Sequence, residues 1–144
     1  MVNSKLEVGP LSNPQIVSIL EPEEMVKFTK GVAEFNAGLF FECHETLEDV
    51  WHGVRGSARD FFQGLIQVAV GFYHLDNRNL AGSRSQLEKG LGKLERYGDL
   101  FMGINLGQFR LEVAAWLQKL VLNEEIRGHI RDLPKLHPAP KSNL

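Results

Sequence analysis

Apolar positions along this chain recur mainly at helical spacing. From Pro22 onward, runs of apolar residues three and four apart alternate with short clusters of Gly, Asn, Asp and Ser, the pattern of helices joined by tight loops. Pro22 suits a first helical turn, and Glu23 and Glu24 place negative charge at the positive end of the dipole. A first helix is therefore expected over about Pro22 to Ala37, stopped by Gly38. Phe40, Cys43, Leu47, Val50, Trp51 and Val54 predict a second helix from about Leu39 to His52, and the Gly53 to Gly56 segment forces a turn. Ser57 is the expected N-cap of a third helix through Leu75, and Asn79 that of a fourth through Tyr97. Asn105 should cap a fifth, ending at about Leu122 or Asn123.

The third helix stands apart. Phe61, Phe62, Leu65, Ile66, Val68, Ala69, Val70, Phe72, Tyr73 and Leu75 cover nearly its whole circumference, so it should be the central, most buried helix. A short turn over Glu124 to Leu133 is expected next, and the segment after Pro134, with Pro138 and Pro140, reads as extended or disordered. Nothing alternates with period two. The fold class is all-α: a compact bundle of five antiparallel helices at 22–133, with an N-terminal arm at 1–21 and a tail at 134–144.

Size and composition agree with one ordinary core. The chain has 144 residues, of which 43% are hydrophobic and 24% charged, far from the regime of disorder. Sixteen basic against eighteen acidic residues give a formal charge of -2, too little positive charge for nucleic acid or an anionic membrane to be the expected partner. The single Cys43 cannot form an internal disulfide, and no stretch reaches the roughly 18 apolar residues a membrane span needs. A cytoplasmic protein is expected.

Candidate chemistry lies on helices two and three. At about 100° per residue, Glu42, Glu45 and Asp49 fall on a solvated face, whereas His44 and Glu48 lie one turn apart at the margin of the buried face. On helix three one polar strip interrupts the apolar surface: Asp60, Gln63, Gly64, Gln67, Gly71 and His74. Buried amides and imidazoles need partners. Helix two, the sequence neighbour, offers His44 and Glu48, so a single cluster of His44, Glu48, Gln63, Gln67 and His74 is expected between the two helices.

Three readings of that cluster compete. It is a satisfied network that fixes helix register; or a site for a divalent metal, zinc or iron, on His44, Glu48 and His74; or a hydrolytic, general acid/base site with Glu48 and His44 catalytic. In either functional case Gln63, Gln67 and Trp51 would line the binding pocket, although Trp51 and Trp116 also suit the core. The metalloprotease motif is absent, because Glu48 stands where its second histidine belongs. His52 is expected in solvent, His129 and His137 have no converging acids, and Cys43 reads as a core residue. The rival is a non-enzymatic adaptor, since helices three and four, with Ala69, Tyr73, Ala81 and Leu87, resemble a helical-repeat hairpin that offers a groove to a protein or peptide. Homo-oligomerisation is compatible with all of these.

The run Phe35 to Trp51 (FNAGLFFECHETLEDVW) and the run Phe62 to Ala69 (FQGLIQVA), followed by His74, Asn79 to Leu94 and Gly103-Ile104-Asn105, resemble the prokaryotic domain-of-unknown-function 309 family. The likeness covers about Lys27 to Leu120. It implies a helical bundle and no particular reaction, and it maps the family's recurrent polar positions onto Glu42, His44, Glu45, Glu48, Gln63, Gln67 and His74. Asp76 to Asn79 replaces a loop that usually contains glycine.

Overall fold

The computed structural model describes residues 19–122 and 133–140. Among them lie five α-helices: α1 (Pro22–Asn36), α2 (Phe40–Gly53), α3 (Arg59–Asp76), α4 (Leu80–Leu94) and α5 (Leu106–Val121). A short turn of 3-10 helix (Gly56–Ala58) precedes α3. The all-α class and the five helices match the sequence pattern. The expected turn at Glu124 to Leu133, and His129 within it, fall almost wholly outside the described residues, as do residues 1–18 of the arm.

Local chemistry sets the boundaries. Glu24 reaches back to accept the Glu21 N–H at 3.0 Å, closing the first turn of α1. Gly38, at φ 79°, takes the left-handed turn between α1 and α2. Asn79 and Asn105 cap α4 and α5, their side chains accepting from Gly82 and Gln108 respectively. Ser57 does not cap α3: it sits inside the 3-10 turn, and α3 starts at Arg59. There the Arg59 guanidinium donates to the carbonyls of Trp51 at 2.8 Å and Val54 at 3.0 Å, fastening the end of α2 to the start of α3. Arg78, in the loop that departs from a glycine-containing pattern, adopts φ 60°, a backbone conformation glycine takes at least cost.

The core is a chain of aromatic rings at right angles. Phe28 meets Phe61 and Phe62 edge-on, and Phe35 meets Phe40, Phe72 and Phe109 in the same way. The inner face of α3 therefore looks onto α1 and α5, and all of these rings are buried. Two helices flank α3: α2 on one side, where Phe41 lies against Tyr73 and Arg59 over Trp51, and α4 on the other, where Leu87 packs at Gly71 and Leu94 at Gly64. The result is one layer, α2–α3–α4, backed by α1 and α5.

Among the described residues strand pairing does occur, against expectation. Leu100–Phe101 and Ile104–Asn105 form a two-stranded antiparallel hairpin (β1 and β2) whose turn, Met102-Gly103, has both φ angles positive (53° and 76°). Residues 135–140 are extended and docked rather than loose: Leu136 is 1% exposed, its backbone pairs with the Asn36 side chain, and Pro138 bridges to Ile104.

Candidate functional site

The single cluster expected between α2 and α3 divides into three separate pairings. His44 and Glu48 do come together within α2, with Nε2 and Oε1 3.5 Å apart and side chains 21% and 46% exposed. The His44 Nδ1 lies 2.7 Å from the Phe41 carbonyl. A carbonyl can only accept, so Nδ1 carries a proton and Nε2 faces the carboxylate. Gln67, however, turns to α4, accepting from Lys93 Nζ at 3.0 Å. His74 lies near its own loop, with Nδ1 3.4 Å from Asn79 Nδ2.

The physical reason is the glycine pair on α3. A Cβ at Gly71 would lie 2.7 Å from Leu87, and one at Gly64 would press on Leu94 and the Gly90 carbonyl; Gly90 in turn admits Gly64 O and Val68. Removing three side chains lets α3 and α4 approach to backbone contact, so the polar strip is spent on α4 and not on α2. Asp60 completes that seam by pairing with Arg96 at 2.6 Å. The proposed metal triad of His44, Glu48 and His74 is thus not assembled, and among the described residues no three His, Cys, Asp or Glu side chains gather as a metal site requires. Lys93 escaped the sequence reading, although Gly90, one turn before it, is the natural counterpart of Gly64.

The remaining candidates have definite places. Trp51 is half-buried and carries the Arg59 guanidinium 3.9 Å above its ring, the role of an anchor between helices. Gln63 lies on the open side of α3, half-buried. Cys43 is fully buried, and burial, reinforced by the Glu34 charge, pushes its thiol up to about 12, which removes it as a nucleophile. Concavities of about 460 Å³ and 420 Å³ lie between α4 and α5, the first walled by Leu91, Arg110 and Leu111 and the second by Leu80, Arg84 and Leu120. The His44–Glu48 pair borders neither. No helix among the described residues is long and apolar enough to cross a membrane.

What is left open is a face. Opposite the buried Phe61, Leu65 and Phe72, helix α3 presents Arg59, Gln63, Val70 and His74, all half-buried. On its α2 side stand Phe41, 45% exposed, and Tyr73, 37% exposed, with ring centroids 5.5 Å apart; the His44 ring lies against Phe41 at 4.9 Å.

Fold and site together define a small α-helical bundle whose aromatic and ionic groups are displayed on the outer face of a three-helix layer. Residues 28–86, from α1 into α4, match the model of the family described as Domain of unknown function (DUF309), the family to which the motifs pointed. That span holds Phe41, His44, Glu48, Gln63, Gln67 and His74, and stops short of the Leu120 limit read from the motifs. The chain is also 29% identical over 93 residues to an uncharacterized protein of Aquifex aeolicus (strain VF5), covering 64% of this chain and 27% of that one. It is 40% identical over 55 residues to the uncharacterized protein YpuF of Bacillus subtilis (strain 168), covering 37% and 32%. The matched stretches thus take up about a third or less of those relatives' lengths.

Proposed function

We propose that this domain is a non-enzymatic binding module that presents the open face of the α2–α3–α4 layer to a protein partner, and that the polar strip of α3 serves packing. The observation that carries this is the Phe41–Tyr73 pair: two large rings in contact with each other, at the surface, where burial against the core would have been the more favourable use of them. Two polar groups of the α3 strip are occupied: Gln67 by Lys93, Asp60 by Arg96. The likeness to parts of longer proteins supports a module that works beside other segments.

The test is capture from a lysate with the wild-type chain and with the double variant Phe41→Ser/Tyr73→Ser, whose fold is checked by circular dichroism. The wild type retains a stoichiometric protein and the double variant loses it, each ring contributing about 2 kcal/mol. Gln67→Ala retains it. Equal capture by wild type and double variant, or a wild type that neither captures a protein nor associates with itself, refutes the reading.

One observation favours a second reading. The Phe41 carbonyl fixes the His44 tautomer so that Nε2 faces Glu48, the arrangement of a general base or of a metal-binding imidazole. A zinc or iron ion would need a third protein ligand that the described residues do not bring beside the pair. Elemental analysis of untagged protein decides it: stoichiometric metal lost in His44→Ala supports this reading.

A further inference from the structure

The open face carries opposite charges on its two edges. By helical geometry α2 contributes Glu45 and Glu48 beside Phe41, and α4 contributes Lys89 and Lys93 on the far side of α3. Glu45 and Lys89 are exposed and make no ion pair within the described chain, and Lys93 is held only by the neutral Gln67 amide.

The heights of these charges along α3 follow from contacts already described. Phe41 is level with Tyr73 and Trp51 with Arg59, so Glu45 falls level with about Gln67 and Glu48 with about Gln63. Leu87 is level with Gly71 and Lys93 is bonded to Gln67, which sets Lys89 and Lys93 at nearly the same heights as the two acids.

From this placement we propose that the partner of the open face is a second copy of this chain, bound face to face about a two-fold axis parallel to α3. This rests on the binding-module reading and names its partner. That axis lays α2 of each copy over α4 of the other, so Glu45 and Glu48 of one meet Lys89 and Lys93 of the other, and the same four charges meet again across the axis. The alternative two-fold, running across the helices, would stack acidic α2 on acidic α2, and the charges oppose it. Val70 lies near the axis, and Phe41 and Tyr73 form an apolar cluster toward one end of each copy's face. A layer of three helices about 8–10 Å apart and roughly 27 Å long offers about 500 Å² of projected area, which side-chain relief brings near the roughly 800 Å² per partner of a stable interface.

The experiment is sedimentation velocity of the untagged chain from micromolar to submillimolar concentration. The wild type sediments at twice the 16.2 kDa of one chain, and its dimer loosens as salt rises from about 0.02 to about 0.5 M. Two reversed variants, Glu45→Lys/Glu48→Lys and Lys89→Glu/Lys93→Glu, each self-associate at least about tenfold more weakly, because like charges now face one another. Mixed in equal amounts they recover the dimer, since each reversed edge then meets an opposite one. A wild type that stays monomeric, reversed variants that dimerise as well alone as the wild type, or a mixture that stays monomeric would each overturn the proposal. If a reversed variant fails to fold, Glu45→Gln/Glu48→Gln replaces it: its dimer must be weaker and less salt-sensitive, and unchanged salt sensitivity overturns the proposal. Failure here is separable from failure of the binding-module reading: a monomer that still captures another protein through Phe41 and Tyr73 removes only the second copy, whereas loss of both removes the module.

Discussion

Two glycines in α4, two residues apart, should respond oppositely to the same substitution. In an open helix interior, Gly→Ala gains about 1 kcal/mol, because alanine has less backbone freedom to lose. Gly92 is such a position: it is exposed, and a Cβ there meets nothing within 4 Å. At Gly90 the added Cβ lies 2.7 Å from the Gly64 carbonyl oxygen, 2.8 Å from Val68 Cγ2 and 3.0 Å from the Val68 nitrogen. Two of those three atoms are backbone of α3 and cannot rotate away, so the helices must separate by more than half an ångström. Opening the seam puts the cost at the upper end of the usual overpacking range, about 3 kcal/mol, against the same gain of about 1, for a net loss of about 2. With an unfolding entropy of roughly 2.1 cal/mol/K per residue over 144 residues, each kcal/mol moves Tm by about 3 °C. Gly92→Ala should therefore raise Tm by about 3 °C and Gly90→Ala lower it by about 6 °C. Calorimetry and urea titration of the three proteins measure both shifts. A Gly90→Ala protein as stable as Gly92→Ala would mean that α3 and α4 are not in backbone contact, and the account of where the polar strip is spent would fail with it.

Other outcomes follow from the same geometry. The Cys43 thiol should resist disulfide reagents at about pH 8 in the native protein and react on unfolding. Its ordinary value of 9.0 is raised to about 12 by burial, so above pH 9 the unfolded chain releases a proton that the folded chain keeps, and stability falls as pH climbs. Cys43→Ala should flatten that slope in urea titrations at rising pH, and an unaltered slope refutes the assignment. Arg110→Ala should cost about 2–3 kcal/mol in urea, since the mostly buried guanidinium donates to the Leu94 and Tyr97 carbonyls and to Asp99 at 2.7 Å. A loss under about 0.5 kcal/mol would show those carbonyls to be satisfied by water. Leu136→Ala should cost about 2–3 kcal/mol if the C-terminal segment is part of the core, and nothing if it is loose.

The helices were legible where one residue type settles a boundary: Pro22 at the first turn of α1, Gly38 at its end, Asn79 and Asn105 as caps. Ser57 misled because a good capping side chain also tolerates a 3-10 turn, and only the tertiary reach of Arg59 shows which is used. The hairpin was missed because two-residue strands offer no run long enough for alternation to register, leaving Met102-Gly103 as its one signal. As for the site, the half-buried positions of His44 and Glu48 followed from periodicity, but sequence adjacency made α2 the assumed partner of Gln67. Adjacency was a poor guide, because both neighbours of α3 in the chain lie beside it. The deciding information was steric: Gly64, Gly71 and Gly90 together specify which neighbour comes closest.

The docked segment at 133–140 also bears on the order in which the molecule assembles. The principal helix interfaces all join consecutive helices, α1 with α2 through to α4 with α5, so each closes a short loop and can form early. The pairing of Leu136 with Asn36 instead spans a separation of 100 residues. Closing a loop of that length costs more entropy than joining neighbouring helices, so folding is expected to end with this latch and unfolding to begin there.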